Sequence, residues 1–128
     1  MNPIFLITIV AIAIVFFLAF RGIKRNTAFQ NIDVNAFAKK MNANEVAILD
    51  VRTPEEFNNG HISGAINIDV KAADFKEKIR SLDKNKSYLV YCRSGVRSVT
   101  ACNILNESGF SNLSNLLGGY NAWSASRK

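Results

Sequence analysis

Cys92 ends the apolar run Tyr88-Leu89-Val90-Tyr91 and opens the stretch Arg93-Ser94-Gly95-Val96-Arg97, which leads into residues at helical spacing. A strand-to-helix turn of this kind presents successive backbone N–H groups that form an anion-binding nest, and the helix N-terminus adds to its positive field. Gly95 lets the backbone curl without a Cβ clash. Arg93 and Arg97 add charge. Each of these features lowers a thiol pKa, and the thiolate is the nucleophile. The stretch therefore reads as an activated cysteine that needs no neighbouring histidine base. A cysteine used only for packing belongs inside an apolar run, and Cys92 stands at the end of one. Cys102 is the opposite case: it lies among Val99 and Ile104 and reads as core, with a resolving partnership to Cys92 as its other use.

The spacing narrows the chemistry. Cys92 to Arg97 is C-x4-R, one residue shorter than the C-x5-R loop with which cysteine phosphatases wrap a tetrahedral phosphate. The shorter cradle suits a single sulfur atom. A phosphatase or arsenate reductase is disfavoured by that spacing and by the lack of a convincing general acid. Asp50 and Arg52 follow another apolar run and read either as an ion pair bracing a turn or as a contribution to the site. His61, the only histidine, lies in Gly60-His61-Ile62-Ser63-Gly64 and reads as a hydrogen-bonded turn residue before a general acid or base. Two cysteines and one histidine give no metal-ligand spacing, so no metal is expected.

Short apolar runs predict the strands that must hold these residues: Val46 to Leu49 ending at Asp50, Ala65 to Ile68, Tyr88 to Tyr91, and weaker ones at Leu113, Leu116 and Leu117 and at Gln30 to Ile32. Helical patterns lie between them. Val34, Phe37, Ala38 and Met41 form one. Thr53-Pro54-Glu55-Glu56 supplies an N-cap, a proline at the first helical position and a capping-box glutamate. Phe75, Ile79 and Leu82 form another, and Val96 to Leu105 a mostly buried helix closed by Gly109. Gly118-Gly119 opens a last segment, where Tyr120 and Trp123 cap the core. Strands alternating with helices predict an α/β domain, a small parallel sheet with helices on both faces, with ligands at the carboxyl ends of the strands. Asp50 and Cys92 both stand at such ends.

The chain has 128 residues and a formal net charge of +6, enough for one domain and one small element. That element is Ile4 to Phe20, which carries no charge and one polar side chain, Thr8, and spans roughly 25 Å as a helix. Met1-Asn2-Pro3 lacks the positive flank of a secretory signal, and no A-x-A cleavage pattern follows the run. The expected organisation is a transmembrane anchor over 1–22, a linker over 23–29 and a domain over 30–128. Arg21, Lys24 and Arg25 follow the span and no Lys or Arg precedes it, which predicts a single-pass protein of the cell (inner) membrane with its N-terminus outside and its domain cytoplasmic. A reducing compartment agrees with two cysteines and no disulfide framework. The positive charge suits a surface near anionic lipid, and nothing in its pattern suggests nucleic acid.

CRSGVRS, from Cys92 to Ser98, resembles the active-site loop of rhodanese-like sulfurtransferases, whose six-residue loop begins with the catalytic cysteine. LDVRTPEEFNNGHISGAINI, from Leu49 to Ile68, is similar to the family's strand-and-helix signature, and LGGYNAW, from Leu117 to Trp123, to its C-terminal motif. The resemblance covers roughly residues 30 to 126 and departs at Ser63, where the family usually has proline. It implies a rhodanese-like fold and a sulfur relay with no cofactor. Cys92 takes sulfane sulfur from a small donor such as thiosulfate and passes it to a thiol or protein acceptor. The loop Arg93, Ser94, Gly95, Val96 and Arg97 holds the persulfide, Arg93 meets an anionic donor, Arg97 braces the loop, and Asp50 and Arg52 support the site. The competing expectation is a membrane-tethered interaction module that uses the same fold to contact a membrane protein.

Overall fold

A computed structural model describes residues 1–21 and 28–128. Most of the expected linker therefore lies outside the described residues. The elements are α1 (Pro3–Arg21), β1 (Gln30–Ile32), α2 (Val34–Lys40), β2 (Val46–Asp50), α3 (Pro54–Asn58), β3 (Ile66–Asn67), α4 (Phe75–Ile79), β4 (Ser87–Tyr91), α5 (Arg97–Glu107), β5 (Leu113–Leu116) and α6 (Gly119–Ser126). The five strands form one parallel sheet in the order β1-β5-β4-β2-β3. The weak runs at Gln30 and Leu113 are thus real strands, and they pair with each other.

Side chains on a strand alternate between faces, and that alternation builds two cores. Tyr88, Val90 and Cys92 join Leu49, Leu113 and the helical residues Phe75, Ile79, Ala101, Cys102 and Leu105 on one face. Leu89 and Tyr91 join Ile48, Leu116, Phe37 and Ile62 on the other, flanked by Tyr120 and Trp123. Phe37 meets the rings of Trp123 and Tyr91 edge-on, with centroids 5.8 and 6.4 Å apart. Helices therefore cover both faces, and the face that receives Cys92 is the one under α5.

The helix ends follow local chemistry. Thr53 and Glu56 complete a reciprocal capping box around Pro54 at the start of α3. After α5, Gly109 takes φ 97°, and the N–H groups of Gly109 and Phe110 donate to Asn106 and Leu105, a Schellman closure that fixes the turn toward β5. Val96 differs from the buried helical position expected of it. It precedes α5, belongs to the loop and is 72% exposed. Leu117 likewise falls just outside β5 and is exposed. The turn at Ser63 forms without proline, closed by Ala65 N–H donating to the Ile62 carbonyl.

α1 is exposed throughout, and Pro3–Phe20 has a mean hydropathy of 2.9. It is long and apolar enough to cross a membrane, a length and composition that also fit a signal sequence.

Candidate active site

β4 lies in the interior of the sheet between β2 and β5, so the loop leaving its carboxyl end has neighbouring loops on both sides. Cys92 is the first residue of that loop and is buried. Gly95, at φ 99°, folds the chain so that its own N–H donates to Cys92 Sγ at 3.1 Å. Ser98, in the first turn of α5 and fully buried, brings its hydroxyl to 3.3 Å from the same sulfur. Burial pushes the Cys92 thiol up. Hydrogen bonds from the Ser98 side chain, and from the backbone of Ser98, Gly95 and Ser94, outweigh it and hold the thiol below its ordinary range.

The two arginines stand differently toward the thiol. Arg97 forms a bidentate ion pair with Glu56 of α3, at 2.7 and 2.8 Å, which offsets its charge, and it still feels the charge of Cys92. Glu56 is held near pKa 2, first by that contact. Arg93 and Ser94 are exposed at the loop's rim. The groups hydrogen-bonded to the sulfur are amides and one hydroxyl.

The loop is held from behind by α6. Tyr120 N–H donates to the Cys92 carbonyl at 2.8 Å and Asn121 N–H to the Arg93 carbonyl at 3.0 Å. This approach requires Gly119, whose φ is 57°. A Cβ there would sit 2.5 Å from the Cys92 oxygen and 2.7 Å from the Arg93 carbonyl.

Asp50 and Arg52 form a buried ion pair on the opposite face of the sheet, the face of Tyr91, with which Asp50 is in register. Asp50 accepts from the Arg52 backbone N–H at 2.9 Å and from its guanidinium at 2.7 Å. Arg52 also donates to the Gly60 carbonyl at 2.7 Å and lies 4.4 Å from the Tyr120 ring centre. The pair ties β2, the Gly60 turn and the start of α6 together, and it borders the cysteine loop through α6 and through Tyr91, over whose ring Arg52 lies at 5.5 Å. Tyr91 completes this layer by accepting the Ile62 N–H. His61 stacks on Phe57, with Nδ1 at 2.9 Å from the Phe57 carbonyl, as a turn residue does. Cys102 is fully buried and pushed up to about 12, by burial first and then by the charge of Cys92.

Sequence reasoning missed Ser98, Glu56 as the partner of Arg97, and the contact that requires Gly119. Each had a trace in the sequence. Ser98 is a small polar residue on the inward side of an apolar helix, Glu56 is a helix-start carboxylate, and Gly118-Gly119 is a pair of adjacent glycines.

Residues 33–126 match the rhodanese-like domain, and the chain belongs to that family. It is 34% identical over 97 residues to thiosulfate sulfurtransferase GlpE of Shewanella oneidensis, covering 76% of this chain and 94% of that one. It is 42% identical over 69 residues to thiosulfate sulfurtransferase PspE of Escherichia coli, covering 52% and 64%. The crystal structure of a rhodanese-related protein from Thermoplasma volcanium superposes with a TM-score of 0.68 at 30% identity, covering 77% of this chain and 93% of that one. These relatives support a rhodanese-type sulfurtransferase function.

Proposed function

We propose that the chain moves sulfane sulfur through a persulfide on Cys92, with thiosulfate as a competent donor and a thiol or protein as acceptor. The observation that carries this reading is the buried Cys92 sulfur held by the Gly95 N–H and the Ser98 hydroxyl. The Cys92 thiolate attacks the outer sulfur of the donor, a new S–S bond forms, and the electron pair of the broken bond leaves with sulfite. The persulfide's terminal sulfur then carries the negative charge that the loop amides stabilise, since preorganised donors act strongly where water is excluded. An acceptor nucleophile takes that sulfur and restores the thiolate. Arg93, exposed at the rim, draws in an anionic donor, while Arg97 braces the loop through Glu56. Asp50 and Arg52 support the site by holding the turn on which α6 rests.

The protein works at a membrane in this reading, with residues 4–20 in the bilayer, the N-terminus outside and the domain in the cytoplasm. The apolar α1 and the positive residues after it support this orientation.

Intact-mass spectrometry of the full chain in detergent, after incubation with thiosulfate, tests the relay. The expected result is a gain of about 32 Da that cyanide removes and Cys92→Ser abolishes. No adduct with any sulfane donor would overturn the relay and favour a tethered interaction module.

A further inference from the structure

Three guanidinium groups lie around the carboxyl end of β4, and they differ in what holds them. Arg52 is buried against Asp50. Arg97 is paired through two hydrogen bonds with Glu56. Arg93 is exposed and, among the described residues, makes no ion pair. An anionic donor approaching Cys92 therefore meets one uncompensated positive side chain.

Glu56 is fixed in this role before any donor arrives. Its Oε1 accepts from the Thr53 hydroxyl at 3.2 Å and from the Thr53 N–H at 3.4 Å as well as from Arg97. Swinging it away from Arg97 would break the cap of α3. Arg97 in turn senses the charge of Cys92, and Asp69 is the other carboxylate within its electrostatic reach.

We infer that Glu56, by cancelling the charge of Arg97, sets donor selectivity at Cys92 against doubly charged donors and in favour of singly charged ones. The inference rests on the sulfur-relay reading. The physical reason is that the missing attraction scales with donor charge. A unit charge near the site, across partly exposed protein, changes the affinity of a monoanion by roughly threefold, and a dianion feels that factor squared, about tenfold. Glu56 acts through Arg97 and touches no reacting atom.

Thiosulfate and methanethiosulfonate separate charge from shape. Both are tetrahedral at sulfur and both donate an outer sulfane sulfur to the thiolate. The S–S electron pair leaves with sulfite, a dianion, in the first case and with methanesulfinate, a monoanion, in the second. Charge balances in each, because the thiolate becomes a singly charged persulfide.

The test measures kcat/KM for both donors, with cyanide as acceptor, on the full chain in detergent. Glu56→Gln is the first variant, since glutamine also serves at that position of a capping box. The expected result is a rise of about tenfold for thiosulfate and about threefold for methanethiosulfonate, so that their ratio rises about threefold at low salt and returns to wild type near 0.5 M salt. Glu56→Gln with Arg97→Gln removes both charges and returns the ratio to wild type. An unchanged ratio in Glu56→Gln, or an equal fall for both donors, would overturn the inference. The rates of Cys92 alkylation by iodoacetate and by iodoacetamide read the same field without sulfur transfer. Their ratio rises about threefold in Glu56→Gln if Glu56 screens Arg97. If no variant turns over either donor, the sulfur relay fails, and the alkylation ratio still decides the role of Glu56.

Discussion

Ser98→Ala removes one hydroxyl from a fully buried position 3.3 Å from the Cys92 sulfur and takes almost nothing else away. A hydrogen bond to a charged acceptor contributes about 1.5–3 kcal/mol. Part of that survives in the thiol form, because either the serine or the cysteine can then be the donor. The difference between the two protonation states is therefore about 1.4 kcal/mol, or about one pKa unit. Iodoacetamide alkylation of Cys92, followed as a function of pH, reads this directly, since Cys102 is buried and its thiol stays protonated. The inflection should move up by about one unit, the rate below both midpoints should fall about tenfold, and the alkaline plateau should stay where it is. An unmoved inflection would refute the reasoning and leave the thiolate to the backbone amides alone. A lowered plateau at an unmoved inflection would refute it differently, by showing that Ser98 only packs the loop.

Two further substitutions separate support from chemistry. Gly119→Ala sets a Cβ against the Cys92 carbonyl and strains a left-handed backbone, so it should cost about 2–4 kcal/mol through two lost hydrogen bonds and the strain itself; a thermal melt and a sulfur-transfer assay should both fall, and wild-type values in both would be the contrary result. Asp50→Asn leaves the buried Arg52 guanidinium without its carboxylate, which should destabilise by about 3–5 kcal/mol and lower Tm by more than about 10 °C. The alkylation inflection of Cys92 should not move in this variant, because the pair lies on the far face of the sheet; a shifted inflection would give Asp50 a direct electrostatic role.

The architecture was readable where local rules suffice. Apolar runs ending in Asp50 and Cys92 marked strand ends, and Thr53-Pro54-Glu55-Glu56 and Gly109 marked helix ends, because capping depends on residues within one turn. Strand alternation alone separates Cys92 from Tyr91. What could not be read were contacts between distant segments. Glu56 and Arg97 are 41 residues apart and meet only once α3 and α5 are placed by the sheet. Nor could the sequence show that the positive charge of Arg97 is shared between Cys92 and a carboxylate of its own. Val96 was misjudged for a simpler reason: helical spacing extended one residue beyond the helix.

The bonds from α6 to the cysteine loop have a directional consequence. In a trans peptide the C=O and N–H vectors point oppositely. With the Cys92 and Arg93 carbonyls drawn back to Tyr120 and Asn121, the amides of Arg93 and Ser94 are turned forward, on the side away from α6. Anchoring two oxygens behind the loop therefore sets the polarity in front of it, and reversing either peptide would leave a helix-terminal N–H without an acceptor. A chain cut before Gly119 would keep all the residues of the cysteine loop and lose the anchor that decides whether they show the sulfur hydrogens or oxygens.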